Sequence, residues 1–265
     1  MTVQADKLKM AVFKFTSCSG CQTPFLNMET EILDLADHVE VACFAMASSA
    51  TRPGPYDLTF VEGGISCEED VRRINMVRQE SKILVAIGNC AVYGGPQALR
   101  NFLDLEDLKR AVYPQPDLVH CFPTCKGIAD YVPVDGFLNG CPVDQGHLQD
   151  YIVSVLLGKA PEVSTRSVCL ECKMKENICL IVAEGVACMG VVTGTGCGAL
   201  CPSFDRGCYG CFGPSADPNL NSFANLCREL GLTEEEINRK LSYIVNNAKA
   251  FREEAERHVP QPVKG

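Results

Sequence analysis

The chain lacks an excess of positive charge. Its 24 Lys and Arg stand against 33 Asp and Glu, a formal net charge of −9. A nucleic-acid surface needs a basic face, so that class is excluded. Histidine is scarce: His38, His120, His147 and His258 are the full set. None lies in the main cysteine run, which disfavours Cys/His zinc sites there. No apolar run approaches the roughly 18 residues of a membrane span. No basic, apolar and small-residue series opens the chain as a secretory signal would, and no twin-arginine pair does. A cytoplasmic protein without a membrane span is expected. No long internal repeat is visible. No GxGxxG follows a strand-like run, so no dinucleotide site is expected on this chain.

What is abundant is cysteine. The 265 residues contain 17, too few for a disulfide scaffold and odd in number. Metal-binding thiolates are the better reading. Hydrophobic residues make up 46% and include 12 Phe, enough for a sizeable core. The length fits one large domain, or a domain plus a smaller module.

The first 160 residues alternate between two periods. Apolar, β-branched runs fall at 8–15, 39–46, 58–62, 83–87 and 118–122, with a weaker one at 132–138. Amphipathic stretches at 25–35, 68–79 and 147–157 lie between or after them. Continuous apolar strands alternating with helices indicate a parallel sheet covered on both faces. The expected fold class is α/β, a flavodoxin-like doubly wound sheet over residues 1–160. Residues 161–265 are expected to form a cysteine-rich domain. Its irregular part, 169–214, holds eight cysteines and many glycines, and metal clusters are a reason for so long a stretch without periodicity. Helices close the chain. Residues 217–231 are amphipathic, and 233–258 opens on a capping-box pattern, Thr233 with Glu236, and carries Ile237, Leu241, Ile244, Val245 and Phe251 along one side.

Doubly wound sheets bind ligands beyond the carboxyl ends of their strands. Cys18 and Cys21, in "TSCSGC", follow the first strand. Cys90, in "GNCA", follows the fourth, and Cys141, in "NGCP", follows the weak last one. These four should converge, and the nearby glycines let backbone approach a bulky inorganic group. Four thiolates suit a 4Fe–4S cluster or tetrahedral zinc. Cys67 and Cys125 share this edge and are substitutes for one of the four. Cys43 and Cys121 fall within expected strands, and Cys227 within a helix, as core thiols. Glu62 ends the third strand in "FVEGG". It is a candidate proton carrier or cluster-tuning residue, or else a carboxylate that fixes the loop. In the second half, Cys169, Cys172, Cys179, Cys188, Cys197, Cys201, Cys208 and Cys211 divide most simply into two four-cysteine sites.

Taken in order, "CSGC", "FVEGG", "GNCA", "NGCP" and the run ending "CYGCFGP" resemble the small subunit of nickel–iron hydrogenases. "FKFTSCSGCQ" looks most like the cytoplasmic bidirectional branch, which includes the delta subunit of NADP-linked sulfhydrogenases. The resemblance implies three 4Fe–4S clusters. The proximal would take Cys18, Cys21, Cys90 and Cys141. The distal would take Cys169, Cys172, Cys179 and Cys188. The medial would take Cys197, Cys201, Cys208 and Cys211. Many exported relatives have histidine where this chain has Cys169, and a three-iron medial cluster where Cys201 here supplies a fourth thiol. The resemblance further implies that no residue of this chain cleaves dihydrogen. A large subunit would hold the nickel–iron centre, and iron–sulfur and flavin subunits would use NAD(P) or sulfur compounds. The electron outlet could instead serve a heterodisulfide-reductase or deazaflavin-reducing assembly. The first half also resembles the cluster-bearing subunit of respiratory NADH–quinone reductase, which lacks the C-terminal cysteine run. A reading from another class is a zinc-binding interaction scaffold.

Overall fold

The computed structural model describes residues 7–28, 35–164 and 166–259. The chain divides into two compact units, with the boundary along the sequence between Val163 and Ser164.

The first unit is built on five parallel strands: β1 (Leu8–Lys14), β2 (Val39–Phe44), β3 (Tyr56–Glu62), β4 (Ser81–Ile87) and β5 (Gly136–Leu138). Their order is β2-β1-β3-β4-β5, the doubly wound order of flavodoxin-like sheets. The alternation of side chains sorts the strand residues between two cores. Met10, Val12, Leu58, Phe60, Val85 and Ile87 face one way, onto Phe25, Leu148 and Ile152. Val61, Leu84 and Ala86 face the other, onto Ile74, Val77 and Ile128. Phe60 sits at the centre of the first core, edge-on to Phe25 at 5.2 Å and to Tyr151 at 6.0 Å. Emptying a fully buried Phe site of this kind costs about 3–5 kcal/mol.

The helix at Glu68–Gln79 has the expected bounds, with three acidic residues in its first turn that complement its dipole. The helix at Gln145–Leu156 starts at the Asp144 carboxylate, which accepts the His147 N–H at 3.1 Å. The expected helix at 25–35 is seen as Thr23–Asn27; its continuation through Ile32 lies outside the described residues.

One expected strand is absent. Residues 118–122 form no part of the sheet: Pro116–Leu118 is a 3₁₀ turn, and Leu118 is 71% exposed. Pro114, Pro116 and Pro123 bracket the run. Proline removes ladder donors and restricts its neighbours, so an apolar run between prolines makes a poor central strand. The last strand is β5 instead.

In the second unit, residues 166–214 carry short helices, Cys169–Met174 and Leu180–Glu184, and 3₁₀ turns at Met189–Val191 and Pro202–Phe204. Three helices follow: Leu220–Glu229, Glu234–Leu241 and Lys249–Arg257. Phe223, Cys227, Ile237, Leu241, Val245 and Phe251 are buried. The capping box at Thr233 and Glu236 forms. The expected single stripe over 233–258 is broken into two helices. Between them lies "SYIVNNA", whose β-branched and Asn residues are weak helix formers.

Candidate functional site

The carboxyl ends of β1, β4 and β5 bring Cys18, Cys21, Cys90 and Cys141 together. Each local stretch has its own device. Cys21 lies within a turn in which Gln22 N–H donates to the Ser19 carbonyl at 3.1 Å. Cys90 rides on a one-turn helix, Gly88–Tyr93, that begins where β4 ends. Gly94 closes that helix at φ +87, its N–H donating to the Cys90 carbonyl at 3.0 Å. Cys141 belongs to a turn bridged between Gly140 and Val143. The Asn89 N–H donates to the Gly140 carbonyl at 2.9 Å, and Gly140 N–H donates to the Asn89 side chain at 3.3 Å. This reciprocal pair locks the loops of Cys90 and Cys141 to each other.

Three of the four sulfurs face a glycine. A Cβ on Gly88 would come 2.2 Å from Cys21 Sγ, one on Gly95 2.6 Å from Cys90 Sγ, and one on Gly20 3.2 Å from Cys18 Sγ. Gly88 and Gly95 also hold positive φ, +74 and +61, where an L side chain is strained. The glycines clear a cradle around the thiols. Cys21 and Cys90 are buried; Cys18 and Cys141 are exposed. Burial, with smaller contributions from the other thiols and Glu62, pushes both Cys21 and Cys90 up to about 12. A cationic iron core would have to release their protons on binding.

Glu62 is 1% exposed. Its carboxylate accepts the Cys21 N–H at 3.1 Å and the Gln22 side-chain amide at 2.5 Å. The geometry is that of a carboxylate holding the "CSGC" loop against the end of β3. Gln22 and Asn89 complete the frame, and nothing in their residue type alone sets them apart from other polar neighbours of cysteine. Cys67 and Cys125 lie outside the four-thiol group. Cys125 packs behind the Cys90 turn, 3.7 Å from the Gly94 carbonyl. Its charged neighbours are Arg100 and Asp70. Cys67 precedes the helix at Glu68–Gln79 and lines a cavity with Cys121, which lies in the irregular segment instead of a strand. Cys43 is in β2, half-buried, and Cys227 is fully buried in its helix.

In the second unit, Cys169 has Cys188, Cys172 and Cys179 as its titratable neighbours. Cys197 has Glu171 and Cys201, and Cys208 has Cys188 and Cys211. Cys188 stands between the two sets: its sulfur accepts the Cys208 N–H at 3.1 Å. The Glu171 carboxylate accepts the Gly196 N–H at 2.8 Å and the Ala199 N–H at 3.3 Å, tying the Cys169–Met174 helix to the loop of Cys197. Among the described residues, no three His, Cys, Asp or Glu side chains gather closely enough to hold a single metal ion. None of the helices described is long and apolar enough to cross a membrane.

The chain is similar to known proteins. The family described as NADH ubiquinone oxidoreductase, 20 Kd subunit, matches residues 18–155, a stretch that ends before the cysteine-rich segment. The chain belongs to this family and is a hydrogenase small subunit, an oxidoreductase component. It is 36% identical to the sulfhydrogenase 2 delta subunit of Pyrococcus furiosus, over 88% of this chain and 98% of the relative. It is 32% identical to a subunit of the F420-non-reducing hydrogenase of Methanocaldococcus jannaschii, over 84% of this chain and 87% of the relative. Among solved structures, a chain of an NAD+-reducing [NiFe]-hydrogenase in the H2-reduced state aligns with a TM-score of 0.55 and 28% identity, covering 59% of this chain and 95% of that one. The [NiFeSe] hydrogenase of Desulfovibrio vulgaris Hildenborough shares the fold at a TM-score of 0.50 and 14% identity, over 80% of this chain and 95% of that one. The expected kinship with the sulfhydrogenase delta branch is borne out.

Proposed function

We propose that this chain is the electron-relay subunit of a cytoplasmic nickel–iron hydrogenase and holds three 4Fe–4S clusters. The observation that carries the proposal is the cradle of four thiols at one sheet edge, with Cys21, Cys141 and Cys18 all within electrostatic reach of Cys90 and side chains kept clear by Gly20, Gly88 and Gly95. Cys18, Cys21, Cys90 and Cys141 are the proximal ligands. Cys169, Cys172, Cys179 and Cys188 are the distal ligands, and Cys197, Cys201, Cys208 and Cys211 the medial ligands. The neighbours of Cys169 support the distal set as a unit.

When bound, such clusters pass single electrons. The chain's own residues fix where they sit. Glu62 and Gln22 hold the "CSGC" loop, the Asn89–Gly140 pair sets the spacing of Cys90 and Cys141, and Glu171 shapes the loop of Cys197. In this reading a large partner subunit carries the nickel–iron centre, and further iron–sulfur and flavin subunits use NAD(P) or sulfur compounds. The test is iron and acid-labile sulfide per chain in anaerobically purified protein. About 12 of each supports three four-iron sites. About 4 of each leaves only the sheet-edge site, and zinc in place of iron sinks the relay.

A second reading keeps the relay and changes its outlet. Relatives from Methanocaldococcus jannaschii and Methanococcus voltae belong to hydrogenases named F420-non-reducing; by that name F420 is not their acceptor, and a heterodisulfide-reductase assembly is the outlet set here against NAD(P). Dihydrogen-dependent reduction of NADP+ by the purified complex decides between the two.

A further inference from the structure

Cys67 and Cys121 are left over from the cluster assignments, and the fold sets them side by side. Two backbone segments run antiparallel here, with Ile65 bridged to Lys126. They meet again where the Phe122 N–H donates to the Ser66 carbonyl at 2.7 Å, residues 123–125 bulging between. One step beyond that hydrogen bond, on either segment, stand Cys67 and Cys121. Cys67 is extended, at φ −152 and ψ 170. Both thiols are half-buried and line one open cavity of about 510 Å³, shared with Arg72, Glu106, Lys109 and His120. The Ser66–Phe122 hydrogen bond draws the two backbones together at the neighbouring residues, and the shared cavity places both cysteine side chains on one wall. A disulfide requires Cα atoms roughly 4.4–6.8 Å apart, the range of closely paired backbone segments. The cavity gives a small polar reagent access that the buried Cys21, Cys90 and Cys125 do not have.

We propose that Cys67 and Cys121 form a redox-active dithiol, a site of reversible disulfide formation separate from the cluster ligands. The oxidant is a low-molecular-weight disulfide, RSSR. One cysteine attacks a sulfur of RSSR, giving a mixed disulfide and one RSH. The second attacks the cysteine sulfur of that mixed disulfide, closing the Cys67–Cys121 bond and releasing the second RSH. The cysteine pair loses two electrons and two protons, and RSSR gains both. The bond would clamp two segments that also reach the four-thiol edge. The Ser66 hydroxyl lies 2.6 Å from that of Thr16, just before Cys18, and Cys125 contacts the turn that closes behind Cys90. The inference stands without the cluster assignment, because Cys67 and Cys121 belong to none of the three sets.

The test uses the anaerobically purified, iron-loaded chain and oxidised glutathione as the probe. Iron is measured before and after exposure. Free thiols are then alkylated, the protein is digested without reductant, and peptides are identified by mass. The expected result is a peptide pair linked through Cys67 and Cys121, at unchanged iron content. Dithiothreitol should reverse it, and Cys67→Ser and Cys121→Ser should each abolish it. Full alkylation of both cysteines after exposure overturns the proposal. So does glutathione stably attached to either without a link between them. A link found only in samples that have lost iron marks scrambling and overturns it too, as does loss of iron or zinc from the Cys67→Ser chain, which would make the thiols metal ligands.

Discussion

The two units assemble their cysteines in opposite ways. The first draws four thiols from positions as far apart as Cys18 and Cys141 and relies on a buried parallel sheet to bring them to one edge. The second takes eight from one irregular stretch between Cys169 and Cys211, held by helices of six and five residues and isolated bridges such as Ser167–Gly194 and Thr193–Pro214. A sheet whose strands are buried on both faces can stand without its ligand. A loop-rich stretch has little hydrophobic burial to offset its chain entropy, so bound metal would contribute much of its folding free energy.

The largest expected effect breaks this comparison directly. Chelation of iron from the purified chain should abolish hydrogen-exchange protection across residues 166–214, while β1, β3 and β4 stay protected. The helices around Phe223, Ile237 and Phe251 pack on one another as well as on the cysteine-rich stretch and should hold intermediate protection. Equal loss in both units would mean the sheet is no more preformed than the loops.

Next in size is a substitution that fills the cradle. Gly88→Ala imposes a left-handed backbone on an L residue, costing roughly 1–2 kcal/mol, and drives a methyl group to 2.2 Å from Cys21 Sγ. On the proposed ligand sets, iron content should fall by about 4 per chain, with the remainder retained. Unchanged iron would show that the loops of Cys21 and Cys90 can separate at little cost, and that the sheet edge is less preorganised than its glycines indicate.

A smaller effect tests the second unit from within. Glu171→Ala removes the acceptor for the Gly196 and Ala199 N–H groups. Loss of a charge-assisted pair of this kind costs about 1–3 kcal/mol. Thermal unfolding of the iron-loaded chain should move down, and exchange should rise first around Cys197. If the melting point does not move, the loop of Cys197 is organised without Glu171.

Much of this is legible in the sequence, for reasons that differ between the two halves. Strand ends can be read because runs such as "KILVAI" are continuous, apolar and stopped by glycine, so Cys18, Cys21, Cys90 and Cys141 fall at one edge by topology. The run at 118–122 misleads because its apolar content resembles a strand while its flanking prolines forbid one. The break within 233–258 is hidden because Ile244 and Val245 keep the helical stripe while their β-branching weakens the helix. The roles of Glu62 and Glu171 are not decidable from residue type, since a carboxylate that accepts backbone N–H groups looks the same in sequence as one that moves protons.

The smallest effect concerns how the second unit's last helix is tied down. Arg228 Nε lies 2.7 Å from Glu234, and His258 bridges Glu234 at 2.6 Å and Glu254 at 3.0 Å. Hydrogen bonds from Arg228 and then His258 hold the Glu234 carboxyl down to about 2. A carboxylate depressed in the folded state stabilises it fully above its unfolded pKa and loses that contribution as pH falls through the folded one. The window for Glu234 therefore runs from about 4.5 down to about 2. Glu234 is half exposed, so solvent screens the pair and the effect is small. The comparison that isolates it is wild type against Glu234→Gln by denaturant unfolding at pH 7 and at pH 3. The difference in midpoint should shrink at the lower pH. A difference that stays constant would assign the contribution of Glu234 to packing at the helix start, with its charge playing no part.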